Sequence, residues 1–164
     1  MKKAPIPQNE TARLEALKQL GILDTPTEKR FDQITKEATA KLQVPVSTIS
    51  IIDEDREWFK SCQGLDSKEG ARDISFCGHA MLSREIFIIE DTLEDERFKD
   101  NPYVIGKNGI RFYAGIALHD QASGLPIGVL CVKDFKPKKM SLDEIEILMK
   151  LAAKAEDELN STKA

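Results

Sequence analysis

Apolar residues recur along this chain with two different periods, and the change of period divides it. Between Asn9 and Leu20 the apolar positions Leu14, Leu17 and Leu20 fall three apart with Gly21 behind them, which predicts a helix closed by a glycine. TPTEKRF follows. Thr25 reads as an N-cap, Pro26 as the first helical residue and Glu28 as the partner that completes a capping box. The helix it opens carries Phe31, Ile34, Ala38 and Leu42 on one face. It ends before Val44-Pro45, because a residue ahead of proline disfavours the helical region. A strand-like period takes over in VSTISIIDEDREWFKSC, predicting strands Val46–Ile52 and Arg56–Cys62 joined as a hairpin across DED. IFIIED (Ile86–Asp91), RFYAGIALHD (Arg111–Asp120) and PIGVLCVKD (Pro126–Asp134) supply further strands, the last two separated by the turn-rich QASGLP. Ser141 and Glu144 form a second capping box. Ile145, Leu148, Ala152, Ala155 and Leu159 then recur at coiled-coil spacing, a stripe that also suits packing on the chain's own domain. Two helices, strands interrupted by long excursions and a closing helix predict an α+β domain with a mostly antiparallel sheet.

Composition narrows the class of protein. A chain of 164 residues suits one domain, here 9–160 between short tails at 1–8 and 161–164. With 41% hydrophobic and 32% charged residues it reads as soluble and globular. The balance of 24 basic against 28 acidic residues, without a basic stripe, argues against a nucleic-acid partner. No apolar run is long enough to span a bilayer, and Lys2-Lys3 is not followed by the apolar stretch of a signal peptide. Three scattered cysteines make no disulfide framework, so the expected compartment is the reducing cytoplasm.

The chemistry-bearing residues gather in the long excursions on either side of IFIIED, where loops of such length are usually functional. In RDISFCGHA, Ser75 is placed to cap a short helix, Phe76 to Ser83. Helical positions two apart point away from each other, so Cys77 and His79 diverge and make a poor nucleophilic pair. Cys77 reads as a redox thiol or an inert packed one, and His79 as a ligand to metal or haem or a satisfied interior histidine. Zinc would need Cys62, Cys77, His79 and Cys131 to converge without any close Cys-x-x-Cys spacing. Trp58 reads as core or as an aromatic platform. Asp73 and Arg111 read as groups for a polar ligand or as a pair satisfying each other. No phosphate loop, Ser-centred elbow or paired-carboxylate set is present, so catalysis has little footing.

The segments ALKQLGILDTPTEKRFDQIT, VPVSTISIIDEDREWFKSCQGLD, RDISFCGHAM, IEDTLEDERFKDNPYV, GIRFYAGIAL and PIGVLCVKDFKPKKMSLDEIEIL, in that order, resemble a GAF domain. The resemblance is to the branch found at the front of bacterial sensor kinases and diguanylate cyclases. It implies a six-stranded antiparallel sheet with the terminal helices on one face and pocket-forming loops on the other. It implies a non-catalytic sensor of an unidentified small molecule, signalling in trans to a partner protein and pairing as a homodimer through its terminal helices. No cofactor is specified. Carried over by position, the ligand-binding residues are Trp58, Asp73, Ser75, Phe76, Cys77, His79, Asp91, Phe98, Asn101, Ile110, Arg111 and Tyr113. The Asn-Lys-Phe-Asp-Glu signature of cyclic-nucleotide GAF domains is missing, and Gly78 separates Cys77 from His79 where bilin-binding members have the two adjacent. Two alternatives accompany the resemblance: an enzyme of the free methionine-R-sulfoxide reductase type using a pocket cysteine, and a degenerate module serving only dimerisation or protein interaction.

Overall fold

The computed structural model describes residues 1–161. In chain order the elements are helices α1 (Glu10–Leu20) and α2 (Lys29–Leu42), strands β1 (Val46–Ile52), β2 (Arg56–Gln63) and β3 (Glu69–Ala71), helix α3 (Phe76–Ala80), strand β4 (Phe87–Ile89), helix α4 (Pro102–Ile105), strands β5 (Phe112–His119) and β6 (Pro126–Asp134), and helix α5 (Leu142–Ser161). The strands form one sheet in the order β3-β2-β1-β6-β5-β4, every pair antiparallel. VSTISII is buried at every position, so β1 takes the centre, between β2 and β6.

Alternation along the central strands gives the sheet two apolar faces. Ile49, Ile51, Phe112, Ala114, Leu130 and Val132 face the long helices, where Phe31, Ile34, Ala38 and Leu42 of α2 and Leu148, Leu151, Ala155 and Leu159 of α5 cover them. Ile52, Tyr113, Val129 and Cys131 face the other way and meet α3, α4 and their loops through Phe76, Cys77, Met81, Phe98, Val104 and Ile110. This is the two-faced arrangement the resemblance implies.

Local signals hold unevenly. Ser141 and Glu144 do exchange backbone N–H to side-chain hydrogen bonds, at 3.0 and 3.2 Å. The expected box at Thr25 does not form. Helix α2 starts at Lys29, behind an extended Glu28 that makes no side-chain cap. The reason is Lys60, a buried ammonium that needs acceptors. It donates to Thr25 Oγ1 at 2.8 Å and Pro26 O at 2.5 Å, and pairs with Glu28 at 2.7 Å, drawing 25–28 into an extended clasp. The strand expected over 86–91 contracts to Phe87–Ile89 at the sheet edge. In α5 the coiled-coil stripe is spent inside the domain, with Leu148, Ala152, Ala155 and Leu159 buried, while Leu142 and Met149 stay exposed. Ser161 belongs to α5, and the rest of the expected tail at 161–164 lies outside the described residues.

Helix α1 docks through a charged clamp. Arg13, fully buried, donates through Nη1 to Ile52 O at 2.8 Å and through Nε to Glu10 at 2.6 Å. Glu10 also binds Arg72, whose Nη1 donates to Asp53 O at 3.0 Å. One carboxylate thereby ties α1, the β1–β2 turn and the lead-in to α3. Burial alone would raise the Glu10 pKa, but the hydrogen bonds from Arg13 and Arg72 hold it down at about 2. A depressed carboxyl contributes stability that is complete above its unfolded value and lost as pH falls. Glu10→Gln is therefore expected to lower the unfolding free energy by about 3 kcal/mol, since it leaves two buried guanidinium groups without their counter-charge. The difference from the parent should shrink as pH falls from the ordinary carboxylate range towards about 2. Urea unfolding as a function of pH measures both.

Candidate ligand-binding site

Chemistry gathers on the sheet face away from α2 and α5. Helix α3 begins where Ser75 Oγ accepts the Gly78 N–H at 2.9 Å and donates to Arg72 O at 2.7 Å. It ends at Ala80, short of the expected Ser83, because the Leu82 and Ser83 N–H groups turn back to His79 O and Ala80 O. Cys77 and His79 diverge as their spacing requires. Cys77 Sγ receives the Tyr113 hydroxyl at 3.0 Å and lies 3.6 Å from Ser50 Oγ. His79 turns outward, its Nε2 3.1 Å from Lys2 O, its ring edge-on to Phe98 at 4.8 Å.

Residues 1–4 lie across α3 as a strap. Lys2 N–H donates to Arg97 O and Ala4 N–H to Asp73 O, both at 2.9 Å. The close approach that Gly78 permits is made by this strap, since a β-carbon there would stand 2.6 Å from Ala4 Cβ.

Six of the residues carried over by resemblance converge here. Phe76 stacks on Phe98 at 4.8 Å and on Tyr113 at 5.2 Å, with Cys77, His79 and Ile110 packed around the rings. The result is a filled aromatic core. Ser75 and Asn101 are caps; Asn101 Oδ1 accepts the Tyr103 N–H at 2.8 Å and its Nδ2 donates to Ile74 O at 2.9 Å. Arg111 pairs with Asp91 at 3.0 Å instead of with Asp73, which is exposed. Trp58 stands apart. It lies opposite Ile51 and belongs to the core under the long helices, so it lines nothing on this side.

At the edge of this face lies a cavity of about 110 Å³, lined by Glu57, Phe59, Leu65, Ser67, Glu69, Gly70, Tyr103, Ile110 and Lys133. Two of these are buried charges, Glu57 at 3% and Lys133 at 5% exposure. Glu57 Oε2 is sealed from solvent and has no hydrogen-bond partner among the described residues. Lys133 Nζ lies 5.9 Å from the centre of the Phe76 ring. Burial disfavours that ammonium, but neighbouring Cys131 and Glu57 outweigh burial and raise its pKa, so the charge is kept. Although the two groups line one cavity, they form no ion pair within 4.0 Å. Glu69 is already committed to Arg56 at 3.1 Å. Tyr103 of α4 forms the roof. A β-carbon on Gly70 would stand 2.8 Å from the Tyr103 hydroxyl, so glycine lets the ring lie down over β3.

Neither Glu57 nor Lys133 stands out in the sequence, where charged residues on strands read as solvent-facing. One signal was available. Lys133 is two residues beyond Cys131 and Glu57 next to Trp58, so strand alternation alone puts Lys133 on the face of Cys131 and Glu57 opposite Trp58.

A family model described as the GAF domain matches residues 26–159. The chain belongs to the GAF domain family. It is 42% identical over 138 residues to a cyclic di-GMP phosphodiesterase of Pseudomonas aeruginosa, covering 84% of this chain and 23% of that protein. This GAF domain thus spans under a quarter of that relative's length. Among solved structures it is similar to the GAF domain of an Acinetobacter phosphoenolpyruvate-protein phosphotransferase, with TM-score 0.61, 19% identity and 92% of each chain covered. It is also similar to a type II free methionine-R-sulfoxide reductase from Thermoplasma acidophilum, with TM-score 0.62, 13% identity, and 93% of this chain and 97% of that one covered. At these identities the two structures speak for the fold alone. GAF domains are common regulatory modules of signalling proteins, and that is the general role of this chain. Among the described residues, no helix is long and apolar enough to cross a membrane.

The strap gives a measurable pH signature. Burial, foremost, lowers the His79 pKa, and nearby Arg97 adds to it against the pull of Lys2 O. The unfolded chain then takes up the proton first, so the contribution of His79 is complete above its ordinary value and is lost as pH falls below it. NMR titration of the His79 ring protons should give a midpoint below that of an unfolded peptide carrying the same histidine.

Proposed function

We propose that this GAF domain is a non-catalytic sensor that binds a small molecule between Glu57 and Lys133 and signals to a partner protein. One observation carries the reading: two buried, oppositely charged side chains face one cavity without satisfying each other. Unpaired buried charges are costly, and a pocket with a few convergent polar groups and perturbed titratable residues is the usual form of a binding site. The position also suits signalling. Trp58, next to Glu57, and Val132, next to Lys133, belong to the core under α2 and α5, so a shift of either strand reaches the helices directly. A homodimer formed through α5 would use the face carrying Leu142 and Met149, because the coiled-coil stripe is buried.

The thiols favour a second reading on one point. Burial would raise the Cys131 pKa, but the neighbouring Cys77 thiol and the Lys133 ammonium draw it down to about 7. Burial holds Cys77 well above its ordinary value, and both residues are sealed at 0% exposure, which supports the non-catalytic role. Consumption of methionine-R-sulfoxide by reduced protein, lost in Cys131→Ser, would overturn that role.

Mass spectra of freshly purified protein under native and denaturing conditions test the sensing reading. The expected result is a small mass retained natively and released on denaturation, absent from Lys133→Met. A ligand held at a hundred times its dissociation constant should also add about 2.7 kcal/mol to the stability of the parent alone. A bare mass in the parent, with no stability gain from an extract of small metabolites, contradicts the proposal.

A further inference from the structure

The cavity beneath Tyr103 is small, and its two buried charges are of opposite sign. Building on the sensing role proposed above, we infer that its ligand is a small zwitterion of the amino-acid type, with its ammonium towards Glu57 and its carboxylate towards Lys133. A single negative group would pair with Lys133 and leave the Glu57 carboxylate facing it. A single positive group would pair with Glu57 and leave the retained Lys133 ammonium facing it. Only a molecule carrying both signs satisfies both walls, and charge-assisted hydrogen bonds at each end are the strong kind.

Size sharpens the class. A dry cavity of about 150 Å³ holds benzene, so the 110 Å³ here suits a body of about six non-hydrogen atoms. A nucleotide or tetrapyrrole is too large to be enclosed there. Phe59, Leu65 and Ile110 give the lining apolar surface that matches a short methylene chain, beside Ser67 and Tyr103. Glu57 of β2 stands opposite Ile52 and Lys133 of β6 opposite Val46, at the two ends of β1, so a ligand held by both must span the gap that the protein leaves open. The length of that bridge is what selects among amino acids with the amine at different distances from the carboxylate.

The test is a backbone-amide NMR titration of the purified chain with glycine, β-alanine and 4-aminobutyrate, set beside the singly charged propionate and propylamine. At least one zwitterion is expected to shift amides of β2, β3 and α4 saturably, with affinity at least tenfold above either singly charged compound. Glu57→Gln and Lys133→Met should each weaken it about tenfold or more. The comparison of compounds on the parent protein needs neither variant to fold. If propionate or propylamine binds at the same amides as tightly as every zwitterion, the zwitterion class is overturned while a sensing cavity stands. If none of the five moves those amides, the class is overturned too, and native mass spectrometry decides separately whether any ligand is held.

Discussion

A six-stranded sheet that is apolar on both faces must be covered twice, and the rest of this molecule follows from how the second covering is made. The first is conventional. Helices α2 and α5 lay amphipathic faces across Ile49, Ile51, Leu130 and Val132, and burial of such side chains is the main favourable contribution to folding. The second has no long helix available. It is assembled from short pieces whose own stability is negligible: a five-residue α3, a four-residue α4 and the loops around β4. Such pieces persist because their caps and rings lock into one another. Ser75 and Asn101 close the helix starts, and Phe76, Phe98 and Tyr113 stack into a wedge above Cys131 and Val129.

An assembled covering leaves a seam, and the seam is where charge has been admitted. Glu57 and Lys133 sit on the far-side face at the border between the aromatic wedge and the β2–β3 hairpin, under a tyrosine whose hydroxyl lies close over Gly70. Buried ions in a core normally pair or lose their charge. Here they line one cavity without forming an ion pair with each other. The same strands carry Trp58 and Val132 into the opposite core. On the proposed sensing role, a molecule bound in the cavity would pull on the layer that holds α2 and α5.

Much of the architecture was legible because period and capping are local. The ends of β1 and β6, the divergence of Cys77 and His79, and the Ser141–Glu144 box follow from residues close together in sequence. What was missed depended on distant ones. The Thr25 box reads correctly in isolation but loses to Lys60, which arrives from β2 to claim the same oxygens. The strap over α3 reads as a tail because its partners, Asp73, His79 and Arg97, lie some seventy residues or more beyond it. For the site, the aromatic residues carried over by resemblance did gather on one face, yet they fill it. Trp58 was set among them without regard to strand parity, and that parity is what turns it towards the helices and Glu57 towards the cavity.

A high-resolution crystal structure of the purified protein tests the central claim most directly. Continuous density joining the Glu57 carboxylate to the Lys133 ammonium, with Tyr103 lying over it, is the predicted result. A direct Glu57–Lys133 ion pair with the cavity closed around it would show that the two charges serve each other, and would contradict the account.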